Sequence, residues 1–259
     1  MTELKYPEFY DVKVTNVCEG CCPGCYQDSI PNEDHYPNII DSINSFFKPM
    51  DENQRPFQVA LGGGEPTSHP DFHEVLKTFT DLGIVPNYTT NGMICIDQKK
   101  TDDLITVTKQ YCGGVAVSTH PHLEKYWRPM TDILVNAGIS TNLHVIISGK
   151  ETVDRFIELY NEYKDKIKYF VLLPFERMGR GVNINETVDY EYLFDMLKTL
   201  PDISNISYGA NFYEELKKRP YLDVNLYEPE MFSKYVDLKD MTVHKSSFQL
   251  DYTKKMYII

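Results

Sequence analysis

Six runs rich in aromatic and β-branched residues, separated by stretches in which apolar residues recur at helical spacing, constrain this chain more than any other feature. The runs are Tyr10 to Val14, Phe57 to Leu61, Ile84 to Thr89, Gly114 to Ser118, Ile139 to Ile147 and Tyr169 to Leu173. Between them Phe72, Val75, Leu76, Phe79 and Leu82 form one helical stripe, and Leu123, Tyr126, Trp127, Met130, Ile133 and Leu134 form another. Val153, Phe156, Ile157 and Tyr160 make a third, and weaker patterns cover Asn38 to Phe47, Asp102 to Gln110 and Tyr190 to Leu200. Such alternation predicts βα units around a parallel sheet. Right-handed crossovers repeated over six strands curl that sheet into an α/β partial (β/α)6 TIM-like barrel, with functional loops at the C-terminal ends of the strands.

The 259 residues suit one barrel-like core over residues 1–204. After about Asn205 the composition turns rich in tyrosine and charge, which marks residues 205–259 as a short C-terminal extension. The stretch Tyr208 to Tyr221 reads as a solvated helix with one packed face. The N-terminus has no apolar run of signal-peptide length, and no stretch of about 18 uncharged apolar residues occurs, so a soluble, unexported, cytoplasmic protein without membrane partners is expected. A net charge of −12 without any basic run disfavours nucleic acid as a partner. The close pair Arg177 and Arg180 leaves room for a local anion site.

Chemistry concentrates just after the predicted strands. The first is followed by Cys18-Glu-Gly-Cys21-Cys22-Pro-Gly-Cys25, four of the six cysteines within eight positions, too crowded for disulfide geometry. The contained C-x3-C-x2-C spacing puts three thiols on one loop, able to hold three irons of a cubane and leave the fourth open. A zinc knuckle is the alternative, since Cys18-x2-Cys21 and Cys22-x2-Cys25 are each half of a four-thiolate site, although adjacent cysteines on one ion are strained.

The second strand leads into Gly62-Gly63-Gly64-Glu65-Pro66, where glycines permit close backbone approach and Glu65 offers an acceptor for an ammonium group; a flexible turn is the plain alternative. Thr89-Thr90-Asn91-Gly92 and Val117-Ser118-Thr119-His120 end the third and fourth strands, where turn or cap chemistry would also explain them. In the fifth strand the alternation sends Asn142 and His144 into the lumen, to a ligand or to a hydrogen bond within the core.

Together, Cys18, Cys22 and Cys25, then Gly63-Gly64-Glu65-Pro66, then Thr90-Asn91-Gly92 one unit later, resemble the radical S-adenosylmethionine (SAM) superfamily over most of the chain up to about Gly181. The resemblance implies a 4Fe-4S cluster on Cys18, Cys22 and Cys25 and S-adenosyl-L-methionine as cosubstrate, its amino group held by Gly63, Gly64 and Glu65. It implies contacts from Ser118, Asn142, Thr90 or Asn91 to the ribose and carboxylate, with His144 beside them in the lumen. The residue before the third cysteine is usually aromatic in the family and packs near the adenine; here it is Gly24, and Tyr26 is the candidate substitute. Cys21 has no assigned role. Met231 to Phe248 resembles the two-strand core of a cysteine-rich extension without its cysteines, with Ser246 or Ser247 where a ligand would stand. One cluster is therefore expected, with Cys95 and Cys112 as small hydrophobes.

The resemblance is strongest to members that modify a peptide or protein, with electrons from a flavodoxin or ferredoxin. A glycyl-radical-enzyme activase, a small-molecule or nucleoside-precursor enzyme using Arg177 or Arg180 on an anion, and a zinc-stabilised binding protein are the alternatives.

Overall fold

The computed structural model describes residues 8–51, 55–222, 224, 226 and 233–248. Six strands form close to where the sequence puts them: β1 (Phe9–Thr15), β2 (Gln58–Gly63), β3 (Val85–Thr90), β4 (Val115–Ser118), β5 (Thr141–Ile147) and β6 (Tyr169–Pro174). The helices α1 (Ile39–Phe47), α2 (Phe72–Asp81), α3 (Gln98–Tyr111), α4 (Glu124–Asn136), α5 (Lys150–Tyr163) and α6 (Tyr190–Leu197) alternate with them. A seventh strand, β7 (Ile206–Tyr208), a short helix α7 (Tyr213–Lys217) and the hairpin β8 (Ser233–Asp237) and β9 (Thr242–His244) complete the described elements.

All nine described strands make one sheet in the order β7-β6-β5-β4-β3-β2-β1-β8-β9. Every pairing is parallel except β8 with β9. The chain is thus a partial barrel of βα units, as the alternation implies. The change of composition near Asn205 does not interrupt the sheet, because β7 pairs with β6 and β8 pairs with β1 in register Asp11↔Tyr235. The helix expected over Tyr208 to Tyr221 is broken into 3-10 turns at Ala210–Phe212 and Pro220–Leu222 around the five-residue α7. Met231 and Phe232 of the expected two-strand unit, the first seven residues and residues 249–259 lie outside the described residues.

Helices form where apolar side chains share a face and cover the sheet. Phe72, Val75, Leu76 and Phe79 of α2, Trp127, Met130 and Leu134 of α4, and Val153, Phe156 and Tyr160 of α5 are all buried. Each large apolar side chain so buried contributes about 1.5–3 kcal/mol. Asp97 and Asp189 cap α3 and α6 by accepting from the Lys100 and Tyr192 amides, satisfying N–H groups that no helical carbonyl reaches. In β5, Thr141, Leu143, Val145 and Ile147 are buried under the helices, which leaves Asn142, His144 and Ile146 on the other face. Among the described residues no helix is long and apolar enough to cross a membrane.

Candidate functional site

The lumen and the C-terminal ends of the strands enclose one cavity of about 1410 Å³. Every residue that the resemblance assigns to the cluster or the cosubstrate lines it: Cys18, Cys22, Cys25, Tyr26, Gly63, Gly64, Glu65, Thr90, Asn91, Ser118, Asn142 and His144.

The cysteine loop leaves β1 and returns through a parallel bridge between Val17 and Ile30. Inside it, the Cys25 amide donates to Cys22 O (3.2 Å) and the Asp28 amide to Cys25 O (3.3 Å), so two successive turns carry the second and third thiols. Cys21 adopts a left-handed conformation (φ 47°), and its side chain is exposed while its three neighbours are not. The Cys18 sulfur receives the Gly20 amide at 3.4 Å and the Asn91 Nδ2 at 3.7 Å. Burial pushes the Cys18 thiol up to about 11 and the Cys22 thiol up to about 12, so metal binding here must expel protons.

This donor set suits an iron–sulfur cubane. Three thiols share one cavity wall, the fourth is turned away, and N–H groups already point at one sulfur. A cubane takes each thiolate on a separate iron, so the three thiols need not converge on one point. All six cysteines are free, and Cys95 and Cys112 are half-buried against the core.

Glu65 joins the ends of β2 and β3. Its Oε1 accepts from Thr67 Oγ1 (2.6 Å), Thr67 N (3.3 Å) and Thr90 Oγ1 (2.8 Å), and its Oε2 accepts from the Asn91 amide at 2.7 Å. Three of these donors fall on Oε1 and one on Oε2, which leaves Oε2 an acceptor direction for a further donor. Burial raises the Glu65 pKa and the four bonds oppose that rise. The two preceding glycines are explained by close approach to β1: a Cβ on Gly63 (φ 107°) would lie 2.3 Å from Thr15 O, and one on Gly64 2.2 Å from Val17 O. Gly64 N and Glu65 N donate to these same two carbonyls at 2.8 Å.

Across the cavity, the wall formed by β4 and β5 is less complete, with Asn142 near the start of β5. Asn142 Oδ1 and Arg155 Nη2 are buried without a hydrogen-bond partner, although the Glu124 carboxylate lies 3.9 Å from the latter. Arg155 Nη1 donates to Thr119 O at 2.8 Å, which fixes the guanidinium against the wall. Burial lowers the pKa of His120 and of His144 to about 4, so both imidazoles are neutral.

The sequence reading missed several lining residues, Asp11, Arg155 and Phe175, and named His120 only within the segment that ends the fourth strand. Asp11 sits on the lumen side of β1, where burial pushes its carboxyl up to about 7. Phe175 follows β6, and a Cβ on Gly24 would meet its Cε2 at 2.8 Å, so the ring fills the space that a side chain at position 24 would take. Its position at a strand end is the one signal that marks Phe175 in advance. Tyr26 packs on Phe248 with ring centroids 4.7 Å apart. Arg177 and Arg180 do not line the cavity: Arg177 Nη2 donates to Val182 O, and Arg180 is bonded to the cysteine loop, so the anion-binding role considered for the pair finds no support.

No protein-family model and no curated protein matches the sequence. Solved structures do. The structure of Streptococcus suis SuiB bound to precursor peptide SuiA aligns with a TM-score of 0.70 and 16% identity over 96% of this chain and 62% of that one. SuiB bound to S-adenosylmethionine gives 0.69 and 15% over 96% and 63%. Native anSMEcpe with bound AdoMet and Cp18Cys peptide gives 0.62 and 16% over 94% and 75%. The chain has the radical SAM fold. It spans 62% of the length of the peptide-bound SuiB chain, and within the radical SAM fold its cysteine loop follows the first strand of the barrel.

Proposed function

We propose that the chain is a radical SAM enzyme that modifies a peptide or protein. The observation that carries this reading is a C-x3-C-x2-C loop whose three thiols face one lumen together with every other polar residue expected of a SAM site, in the fold that SuiB and anSMEcpe share. Cys18, Cys22 and Cys25 would hold a 4Fe-4S cluster. When bound, the cluster supplies the electron that breaks a carbon–sulfur bond of SAM, giving a 5'-deoxyadenosyl radical that takes a hydrogen from the substrate.

The chain's own residues bind and orient. Gly20 and Asn91 direct N–H groups at the Cys18 sulfur, which favours its thiolate. The Thr15 and Val17 carbonyls hold Gly64 and Glu65 where, with Gly63, they would border the amino group of the cosubstrate. Asn142 Oδ1 would accept from its ribose, and Ser118 and Arg155 Nη2 would donate to its polar groups. Neutral His120 and His144 add no charge to this wall, and Phe175 with Tyr26 offers the aromatic surface that Gly24 cannot. The hairpin of the extension covers the cavity beside Tyr26, through Tyr235, which accepts from Gln27 Nε2 at 3.1 Å, and through Phe248.

A peptide substrate is supported by the peptides bound in the SuiB and anSMEcpe structures. Six free thiols suit a reducing cytoplasm, and a flavodoxin or ferredoxin would supply electrons. The reading is tested by anaerobic purification, reconstitution with iron and sulfide, and assay of 5'-deoxyadenosine formed from SAM and dithionite. Brown protein that makes this product, and a Cys18→Ala, Cys22→Ala, Cys25→Ala triple variant that does not, is the expected result. Colourless, zinc-loaded protein without product sinks the proposal.

A further inference from the structure

We propose that Arg180 is a positioning residue that latches the cysteine loop in the shape in which it presents Cys22 and Cys25. The inference rests on reading Cys18, Cys22 and Cys25 as cluster ligands. The turn after β6, Gly179–Asn183, lies against the loop, and Arg180 meets it at three points. Its amide donates to Cys25 O at 3.0 Å, its Nε to Cys22 O at 3.1 Å, and its Nη1 to Asp28 Oδ1 at 3.1 Å.

These contacts fall on the two carbonyls that define the loop. Cys22 O and Cys25 O each already accept one bond from within the loop, and Arg180 gives each its second donor. Asp28, which ends the second turn, is left-handed (φ 55°), a conformation costly for a non-glycine residue unless its surroundings fix it. The guanidinium holds it by an ion pair. Close approach also requires Gly179, because a Cβ there would lie 2.5 Å from Cys25 O and 2.7 Å from Tyr26 O. A lysine would keep the charge at position 180 but could not span Cys22 O and Asp28 together, since one ammonium replaces a planar fork.

Hydrogen exchange of the metal-free wild type and the Arg180→Ala variant tests the latch without any cluster. The expected result is exchange about tenfold faster in the peptide carrying residues 18–30, with α5 unchanged, because the variant loses the two side-chain bonds that hold the loop closed. The reconstituted variant should lose its visible chromophore to a chelator about tenfold faster than wild type, with Arg180→Lys between the two and the electron paramagnetic resonance of the reduced cluster altered. Exchange and chelation rates within about twofold of wild type would overturn the latch, as would faster exchange spread equally over α5. A wild type that takes up no cluster while the variant still loosens residues 18–30 would leave the latch standing and remove the cluster reading instead.

Discussion

Two corners of the cavity are built on opposite terms. At the ends of β2 and β3, the Glu65 carboxylate accepts four bonds from Thr67, Thr90 and Asn91, and the glycines before it are pressed onto the backbone of β1. On the β4–β5 wall, an acceptor on Asn142, near the start of β5, and a donor on Arg155, beside the end of β4, are buried without a hydrogen-bond partner, the latter 3.9 Å from the Glu124 carboxylate. A satisfied buried network holds the chain in place, whereas an unsatisfied one costs free energy that a ligand can recover. On the proposed function, the first corner holds the strand ends together and the second is where the cosubstrate would bond. The difference predicts that substitutions at the joint act mainly on stability and those at the open corner mainly on binding.

The sharpest way to break this comparison is Glu65→Ala. It strands the Thr90 hydroxyl and the Asn91 amide in a buried environment and removes the tie between two strand ends. Buried donors left unpaired cost about 1–3 kcal/mol each, so a loss of roughly 3 kcal/mol in urea unfolding is expected even after water replaces some bonds. Glu65→Gln keeps one acceptor oxygen but turns an amide donor on the other donors, and should recover only part of that loss. A Glu65→Ala protein as stable as wild type would mean that this corner is not a joint.

The joint was legible in part. The order of strands and helices was readable because apolar spacing encodes which face each element buries, and the strand-end rule then located the glycine, threonine and serine segments. What the sequence hid is pairwise. Nothing in Glu65 announces that its partners come from Thr90 and Asn91 rather than from a ligand, and Arg180 reads as an anion site until the fold brings it onto Cys22 and Cys25. β7 escaped because a three-residue strand has too few positions to show alternation, and Arg155 because its reach into the cavity depends on how α5 lies over β5. Phe175 and Gly24 form a complementary pair whose logic appears only when both are in view.

The pH dependence of stability separates the corners next. His120 and His144 have pKa values lowered from 6.5 to about 4 by burial, so the unfolded chain binds more protons than the folded one between those limits. Stability present above pH 6.5 is then lost as pH falls toward 4, by roughly 3 kcal/mol for each histidine. Asp11 acts in the opposite sense: its carboxyl, raised from 3.8 to about 7, adds stability as pH falls through 7 and offsets part of the loss. Comparing wild type with His144→Gln isolates one histidine, and the variant should lose less stability than wild type over this interval. Equal slopes for the two proteins would show that His144 is not held neutral at the open corner.

The smallest effect is the most discriminating. Asn142→Ala removes a buried acceptor that bonds to nothing in the protein, so its unfolding midpoint should stay within about 0.5 kcal/mol of wild type, unlike Glu65→Ala. Binding should respond instead, because an acceptor that meets a ribose hydroxyl contributes about 1.4 kcal/mol, or tenfold in Kd for SAM, measured by titration calorimetry on the reconstituted protein. Arg155→Ala is a poorer probe, since Arg155 also donates to Thr119 O and its loss would disturb the wall itself. If Asn142→Ala left SAM affinity unchanged while destabilising the fold, the two corners would differ in degree rather than in purpose, and the unpaired oxygen would be a site filled by water rather than by the cosubstrate.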